Sequence, residues 1–263
     1  MRASPAQPVH TVPYRLRLEH EGLLSLRLQR AGPGLRFDPR QPPADGEVVV
    51  LTGAWPEQLE ATAAAFRSGL RPQVVGPEPV LAWLAAAGAP RDCLRQAPAT
   101  LGDISIEQWP ATLPSTATPG ETAHRLRSAL MRPDRALRRL RRRAKLPTTP
   151  PQITQLSFPD GSRLVYLGLG LHRGTPADWI ALHGQRLAGA RWLLVGCAPG
   201  QDEALRSHLP TFAAQQVLVV DLLGELRQSL GLPGALLTPV VDQLCQAGLD
   251  AYVLGSRVSF RFE

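Results

Sequence analysis

The sequence predicts an α/β domain in which two β-sheets pack together and helices cover their outer faces. Apolar and polar residues alternate at Tyr14–Leu18 and Leu24–Leu28, a period that is typical of half-buried strands. The β-branched run Glu47–Leu51 predicts a buried strand, and Pro56 can occupy the first turn of the helix that follows. Strands that begin as hairpins and continue in β-α alternation favour such a layered domain.

The second half of the chain repeats this order of elements. A short strand at Val74–Val75 and an Ala-rich helix at Pro79–Ala87 complete the first half. Later strands are predicted at Ile104–Trp109, Gln152–Phe158, Arg163–Leu167, Trp192–Gly196, Val217–Asp221, Ala251–Leu254 and Val258–Phe262. Later helices are predicted at about Pro176–Leu187, Asp202–Leu209, Leu222–Leu230 and Leu236–Ala247.

A doubly wound parallel sheet is the main alternative to this arrangement. The segment Pro159–Ser162, however, lies between two alternating strands and has the composition of a hairpin turn. A hairpin makes the two flanking strands antiparallel. We therefore favour two packed sheets over a single parallel sheet.

Length and composition indicate a globular protein with a sizeable core. The chain has 263 residues, of which 44% are hydrophobic, and no apolar run is long enough to span a membrane. Residues 1–13 are interpreted as an N-terminal tail that does not resemble a secretory signal, and residues 14–263 as one domain. We therefore expect a cytoplasmic protein. The three cysteines are widely spaced and form neither a disulfide framework nor a metal-binding pair.

A basic helical segment interrupts the second half and carries the whole excess of positive charge. Between Glu121 and Pro150 the chain has ten cations and two acids, which leaves 19 of its 29 Lys and Arg and 20 of its 22 acids elsewhere. Thr118–Glu121 has the pattern of a capping box with Pro at the first helical position. We interpret residues of about 118–150 as a helical insertion, broken at Pro133, in which most arginines face solvent.

Several segments carry, in the same order, the motifs of a known superfamily. They are Leu18–Gly22 with the later Phe37–Pro39, Val49–Thr52 with Gly53–Leu59, Arg163–Leu167 with Gly168–Leu169, Trp192–Gly196, and Gln216–Asp221. Over about Tyr14–Pro233 this order resembles the metallo-β-lactamase-like hydrolases, especially the branch similar to ascorbate-6-phosphate lactonases. The resemblance implies a four-layer αββα sandwich with its active-site face at the ends of the strands.

The positions that match the superfamily's metal ligands have mostly lost ligand chemistry. In the superfamily two divalent metals, held by imidazole and carboxylate groups, activate a water for hydrolysis. The matching positions hold Gly53, Trp55, Glu57, Gln58, Leu169 and Asp221. Two carboxylates cannot replace the full set of ligands, and the indole of Trp55 is expected to fill space that the metals need. These departures from the superfamily's pattern therefore predict a relative with no bound metal, no cofactor and no metal-dependent hydrolysis.

A rebuilt site at the same place is the alternative. His20, His172, Glu57 and Asp221 lie near strand ends on the superfamily's active-site face, which makes them candidates for a new centre. A single histidine after a strand is more often a surface or hydrogen-bonded residue than a metal ligand. We therefore favour the interpretation without a metal.

The sequence favours a binding or interaction protein over an enzyme. Arginine suits multidentate contacts with phosphate, and the partners that fit are nucleic acid, an anionic membrane surface or an acidic protein. The candidate contact residues are Arg135, Arg138, Arg139, Arg141, Arg142 and Arg143. Three alternatives stay open: a hydrolase with a rebuilt or atypical active site, a structural subunit of a larger assembly, and a basic helix face that is merely solvated. The sequence does not set the oligomeric state.

Overall fold

The structure is a computed structural model that describes residues 16–22, 24–30, 34–111, 146–172, 174–199, 201–229, 231, 234–255 and 259–262. The predicted N-terminal tail lies outside these residues. So does nearly all of the predicted basic insertion, including its six candidate arginines. The division of the chain into tail, domain and insertion stays a prediction.

Two mixed β-sheets of seven strands each form the centre of the described part of the chain. The first sheet contains β1 (Leu16–Gly22), β2 (Ser25–Gln29), β3 (Leu35–Phe37), β4 (Val48–Val50), β5 (Gln73–Val75), β6 (Leu94–Arg95) and β14 (Ser259–Phe262). The second sheet contains β7 (Ala99–Leu101), β8 (Ile104–Pro110), β9 (Gln152–Ser157), β10 (Arg163–Gly168), β11 (Trp192–Gly196), β12 (Gln216–Val220) and β13 (Ala251–Leu254).

Helices follow several of the strands in both sheets. The α-helices of the described ranges are α1 (Pro56–Arg67), α2 (Glu78–Ala86), α3 (Ala177–Leu187), α4 (Asp202–His208), α5 (Gly224–Ser229) and α6 (Leu237–Gln246). Two 3₁₀ turns lie at Arg91–Cys93 and Leu209–Phe212. In these parts of the chain, no helix has both the length and the apolar character needed to cross a membrane.

The strand order shows that each sheet has an antiparallel half and a parallel half. In the first sheet the order is β14-β1-β2-β3-β4-β5-β6, antiparallel up to β3 and parallel from β3 onward. In the second sheet the order is β13-β12-β11-β10-β9-β8-β7, parallel up to β10 and antiparallel beyond it. The hairpin β9–β10 turns at the predicted segment Pro159–Ser162. Two mixed sheets exclude the doubly wound alternative.

Three apolar clusters show how the layers pack. The first lies between the sheets and joins side chains from both, among them Leu18, Phe37, Tyr166 and Trp192. A second cluster packs the outer face of the second sheet against α3, α4 and α6, and a third packs the outer face of the first sheet against α1 and α2. The order helix, sheet, sheet, helix confirms the predicted four-layer αββα sandwich.

Most predicted elements are present, and the differences fall on short elements and element ends. The strands β3, β6 and β7 are two or three residues long and were not predicted, because they lack a β-branched run such as the valines that mark the equally short β4 and β5. The strand predicted to end at Asp221 ends at Val220, and the helix predicted from Leu222 begins at Gly224. Asp221 therefore lies in a loop rather than in a strand.

The end of β11 is packed too closely for a side chain. A Cβ atom on Gly196 would lie 2.6 Å from Leu222 Cδ1 and 2.8 Å from both the Gly168 carbonyl oxygen and Leu169 Cδ2. Glycine at this position lets the segments that follow β10 and β12 close over the end of β11. These two segments also contain Leu169 and Asp221, so this packing fixes where both residues lie.

The change Gly196→Ala is expected to lower the free energy of unfolding by about 3 kcal/mol, near the upper end of the usual cost of overpacking. One of the clashing atoms belongs to the backbone, which cannot move aside as a side chain can. The matched control is Gly184→Ala in α3, where a Cβ would meet Phe212 at an ordinary 3.7 Å. There alanine is expected to stabilise by up to about 1 kcal/mol through its helix propensity. Chemical denaturation of both variants measures this, and a loss of similar size in both would contradict it.

Candidate functional site

Four of the six positions that match the superfamily's metal ligands lie in loops at the ends of the strands. Gly53 and Trp55 lie between β4 and α1 in the first sheet, whereas Leu169 follows β10 and Asp221 follows β12 in the second. Trp55 and Leu169 line the same cavity. The structure thus brings loops of both sheets together at the predicted face.

The side chain of Trp55 lies between two small cavities. Its indole Nε1 donates a hydrogen bond to the Thr52 hydroxyl at 3.4 Å, and a Cβ on Gly53 would lie 3.0 Å from the same nitrogen. One cavity, of about 120 Å³, separates Trp55 from the second sheet. The other, of about 230 Å³, lies against Gly53 and residues 146–149. The absence of a side chain at Gly53 therefore makes room for an indole that offers no lone pair to a metal.

Glu57 and Gln58 lie in the first turn of α1 and have opposite environments. The Glu57 side chain is 59% exposed, and its Oε2 lies 3.8 Å from Arg40 Nε. Gln58 is buried beneath the helix. Neither residue lines the 120 Å³ cavity. Glu57 therefore lies at the surface beside Arg40 and not in the wall of the cavity that Trp55 and Leu169 line.

Leu169 and Asp221 differ in chemistry although both follow strands of the second sheet. Leu169 packs against the core between the sheets. Asp221 Oδ2 accepts a hydrogen bond from the Ala235 N–H at 2.9 Å, whereas its Oδ1 is buried and has no hydrogen-bond partner among the described residues. Of the matching positions, Asp221 is the one that places a buried carboxylate oxygen at the strand ends.

His20 lies on β1, near the carboxylates of Asp221 and Glu225. Its imidazole is 3% exposed, and neither ring nitrogen has a hydrogen-bond partner within the described part of the chain. Burial lowers the pKa of His20, while Glu225 and Asp221 oppose that shift by favouring the protonated form. Arg40 forms ion pairs with both Glu225 and Glu57. His20, Asp221 and Glu57, three of the four candidates for a rebuilt site, thus lie in one group of charged residues. Arg40 and Glu225 connect them, and the sequence analysis did not identify these two residues.

His172, the fourth of those residues, takes part in its own loop. Its Nδ1 accepts a hydrogen bond from the Gly174 N–H at 3.1 Å, and its backbone N–H donates to the Thr175 hydroxyl at 2.9 Å. The side chain is buried, and the loop leads directly into α3. These contacts favour a structural role for His172 and already use its Nδ1 lone pair.

A buried polar cluster that the sequence did not predict lies beside the cavity. The Asp38 carboxylate accepts hydrogen bonds from the Thr52 N–H, at 2.9 Å, and from the Thr52 hydroxyl. Burial raises the pKa of Asp38 to about 7, although the hydrogen bonds from Thr52 oppose the shift. Burial and the nearby Asp38 also raise the pKa of Tyr166, whose ring packs against Phe37 with centroids 5.0 Å apart. The Phe-Asp-Pro motif marks this cluster in the sequence.

The residues at these strand ends do not fit the metal pair of the superfamily. Such a pair needs several imidazole or carboxylate ligands that converge on each ion. In the described ranges, no group of three or more His, Cys, Asp or Glu side chains is arranged to hold a metal ion. Trp55 and Leu169 bring apolar surface to two of the positions where ligands are needed. The expectation that no metal binds there stays a prediction.

Solved structures of several enzymes share this fold at low sequence identity. A metallo hydrolase from the hyperthermophilic archaeon Ignicoccus hospitalis matches with a TM-score of 0.60 and 14% identity, over 95% of this chain and 99% of its own. An isothiocyanate hydrolase from Delia radicum gut bacteria matches with a TM-score of 0.53 and 13% identity, over 94% and 99%. A diiron β-hydroxylase from Streptomyces venezuelae matches with a TM-score of 0.62 and 10% identity, over 96% of this chain and 55% of its own. No family model and no curated protein matches the sequence.

These likenesses establish the class of fold. The chain has the metallo-β-lactamase-like fold that its order of motifs indicated. At identities of 10–14% the metals and activities of the similar proteins remain properties of those proteins, because a fold does not determine a function. What this chain does has to be argued from its own side chains.

The raised pKa of Asp38 predicts how stability changes with pH. The carboxyl has a reference pKa of 3.8 when unfolded and about 7 when folded. Between these values the folded state keeps a proton that the unfolded state has released. The stability that this proton contributes is complete below about pH 4 and is lost as the pH rises toward 7, by on the order of 4 kcal/mol.

The change Asp38→Asn is expected to flatten this part of the pH dependence, because the amide does not titrate. Urea denaturation at intervals between about pH 4 and pH 7 measures the slope in the wild type and the variant. The control is Asp242→Asn, an exposed carboxylate on α6, which should keep the wild-type slope. Equal slopes in all three proteins would show that Asp38 is not the group responsible.

Proposed function

We propose that this protein is a non-hydrolytic binding protein of the metallo-β-lactamase-like fold, which contacts an anionic partner through its arginine-rich segment. The observation that carries the first half of the proposal is the placement of Trp55 and Leu169. Both line one cavity of about 120 Å³ at the strand ends, and neither side chain can bind a metal. Hydrolysis of the superfamily's kind requires a metal-bound water at that place.

The charged groups that remain near the strand ends support the same proposal. Arg40 forms ion pairs with both Glu225 and Glu57, so its single positive charge offsets one of these two negative charges. His20 is 3% exposed, whereas a general base must come within hydrogen-bond reach of the proton that it removes. Arg40 and Glu225 line an open polar cavity at the surface, whereas His20 is buried, which argues against His20 acting as a general base on a substrate in that cavity.

The choice of an anionic partner depends on the distribution of charge along the sequence. Outside residues 121–150 the chain has 19 cations and 20 acids, so long-range attraction for a polyanion must come from this one segment. Arginine presents a planar fork of donors that matches phosphate. Nucleic acid, an anionic membrane surface and an acidic protein are the partner classes that supply the complementary charge.

A hydrolase with a rebuilt site is the second candidate. The observation that favours it is the proximity of His20 to Asp221 and Glu225, with unpartnered buried atoms on both His20 and Asp221. A rebuilt enzyme would need this cluster to open toward substrate. If the wild type hydrolyses a substrate and the stably folded variant His20→Gln does not, that result would favour the rebuilt hydrolase over the binding protein.

The first prediction from this proposal concerns metal content. The purified chain, incubated with Zn²⁺ or Mn²⁺ and then desalted, is expected to retain less than about one-tenth of an equivalent, because too few ligands converge at the strand ends. Elemental analysis measures this directly. One equivalent or more in the wild type, lost in Glu57→Gln and Asp221→Asn, would contradict the proposal.

The proposal also predicts no metal-dependent hydrolysis. Lactone, phosphodiester, thioester and β-lactam substrates should show no turnover that a chelator abolishes and added metal restores.

The second prediction concerns the arginine-rich segment. Binding to polyanions through several arginines should weaken steeply as salt is raised, because counterions are released on contact. Sequence preference should be slight, since contacts to phosphate do not distinguish bases. Titrations against duplex DNA, structured RNA and anionic liposomes measure this at several salt concentrations. A wild type that binds none of the three at low salt would show that the segment is solvated or docks to a specific protein.

The matched variants separate the segment from the net charge of the protein. One variant replaces five arginines of the segment with glutamine, at Arg138, Arg139, Arg141, Arg142 and Arg143. The control replaces five exposed arginines of the described domain with glutamine, at Arg67, Arg71, Arg91, Arg95 and Arg206. Both lose the same formal charge. Only the first is expected to lose binding by more than about tenfold, and equal losses would mean that net charge, not the segment, drives association.

A further inference from the structure

The cavity between Trp55 and the second sheet has the size and lining of a small-ligand site. Its volume is about 120 Å³, and its walls are mainly apolar, formed by Trp55, Leu169, Leu24 and Leu167. None of the residues that line it carries a charge. An apolar cavity of about 150 Å³ can hold benzene, so this one fits a molecule of roughly six non-hydrogen atoms.

A polar group without a partner lies at the wall of this cavity. The Tyr166 hydroxyl is buried and has no hydrogen-bond partner among the described residues. Tyr166 and Gly168 both line the cavity, and a Cβ on Gly168 would lie 3.8 Å from the hydroxyl oxygen. Because Gly168 has no side chain, no Cβ of that residue crowds the hydroxyl on this side. A buried hydroxyl that lacks a partner is costly, and a bound acceptor would remove that cost.

The surroundings of the hydroxyl decide what kind of acceptor fits. The buried Asp38 carboxyl lies near Tyr166 and acts on it electrostatically, so an anionic ligand would meet a group that becomes negative as the pH rises. An apolar lining gives no counter-ion to a charged ligand of either sign. The remaining class is an uncharged molecule with an apolar body and one oxygen, such as a small ketone or a cyclic ether.

We propose that this cavity binds a small uncharged molecule whose apolar body contacts Trp55 and Leu169 and whose oxygen accepts a hydrogen bond from the Tyr166 hydroxyl. This inference rests on the proposed non-hydrolytic function, because a metal centre would need the same space. Different results would overturn this inference and the proposed function. A chain that binds neither metal nor probe overturns only this inference, whereas metal bound through Glu57 and Asp221 overturns the proposed function.

The test uses the full chain and two probes of similar shape, cyclopentanone and cyclopentane. Protein-detected NMR titration measures the affinity of the chain for each probe. The wild type is expected to bind both in a saturable way. In Tyr166→Phe the affinity for cyclopentanone should fall roughly 2- to 10-fold, the usual effect of one neutral hydrogen bond, while the affinity for cyclopentane should not change. An unchanged affinity for cyclopentanone would overturn the role given to the hydroxyl.

A second pair of variants locates the site even if Tyr166→Phe does not fold. The change Leu169→Phe enlarges a side chain in the wall and should weaken both probes by more than about tenfold, because it fills a cavity of this size. The matched control is Leu182→Phe on α3, where the side chain is 68% exposed, and it should bind as the wild type does. Absence of saturable binding to the folded wild type, or unchanged binding in Leu169→Phe, would overturn the inference.

Discussion

The hydrogen bonds of Thr52 fix the position of the two sheets relative to each other at the candidate site. Its N–H and hydroxyl donate to the buried Asp38 carboxylate, and its carbonyl accepts from the Gln152 N–H of β9 at 2.6 Å. Gln108 of β8 adds a second link, since its Nε2 donates to the Leu51 carbonyl at 3.0 Å. Leaving such groups unpaired would cost far more than each bond contributes. The loop that carries Trp55 is therefore fixed against the second sheet, and the position of the cavity follows from it.

The fold class and the longer strands and helices could be predicted from the sequence. The order of the motifs indicated the fold, and the spacing of apolar residues indicated the strands and helices. The strand Ala251–Leu254 has the bounds that its pattern indicated. The spacing of residues does not show that Trp55 and Leu169 line one cavity, which comes from the structure. The contacts of Arg40 and Glu225 with each other could not be predicted, since they depend on how two distant loops cross. Nor could the raised pKa of Asp38 be predicted, because the Phe-Asp-Pro motif marks its place in the chain but not how deeply the carboxyl is buried.

Close packing fixes the strand ends of this sandwich. The closure of the strand ends depends on Gly196, over which Leu169 and Leu222 pack, and on a core that draws side chains from both sheets. Protein interiors are close-packed, so Leu169, at a position that matches a metal ligand of the superfamily, is held in place by its neighbours. The same scaffold can then support binding at loops and insertions, which vary more freely than the core.

The pairing of β14 with β1 joins segments that the ribosome makes far apart in time. Leu16 pairs with Phe262 and Glu19 with Ser259, so the first sheet cannot complete its edge until the last of these strands has left the exit tunnel. Until then β1 presents a row of unpaired backbone groups, and such an edge invites association with other chains. Contacts between residues so distant in sequence also slow folding, because the loop must close before they form. The nascent chain therefore depends on early protection of β1, which its β2 hairpin supplies on one side only.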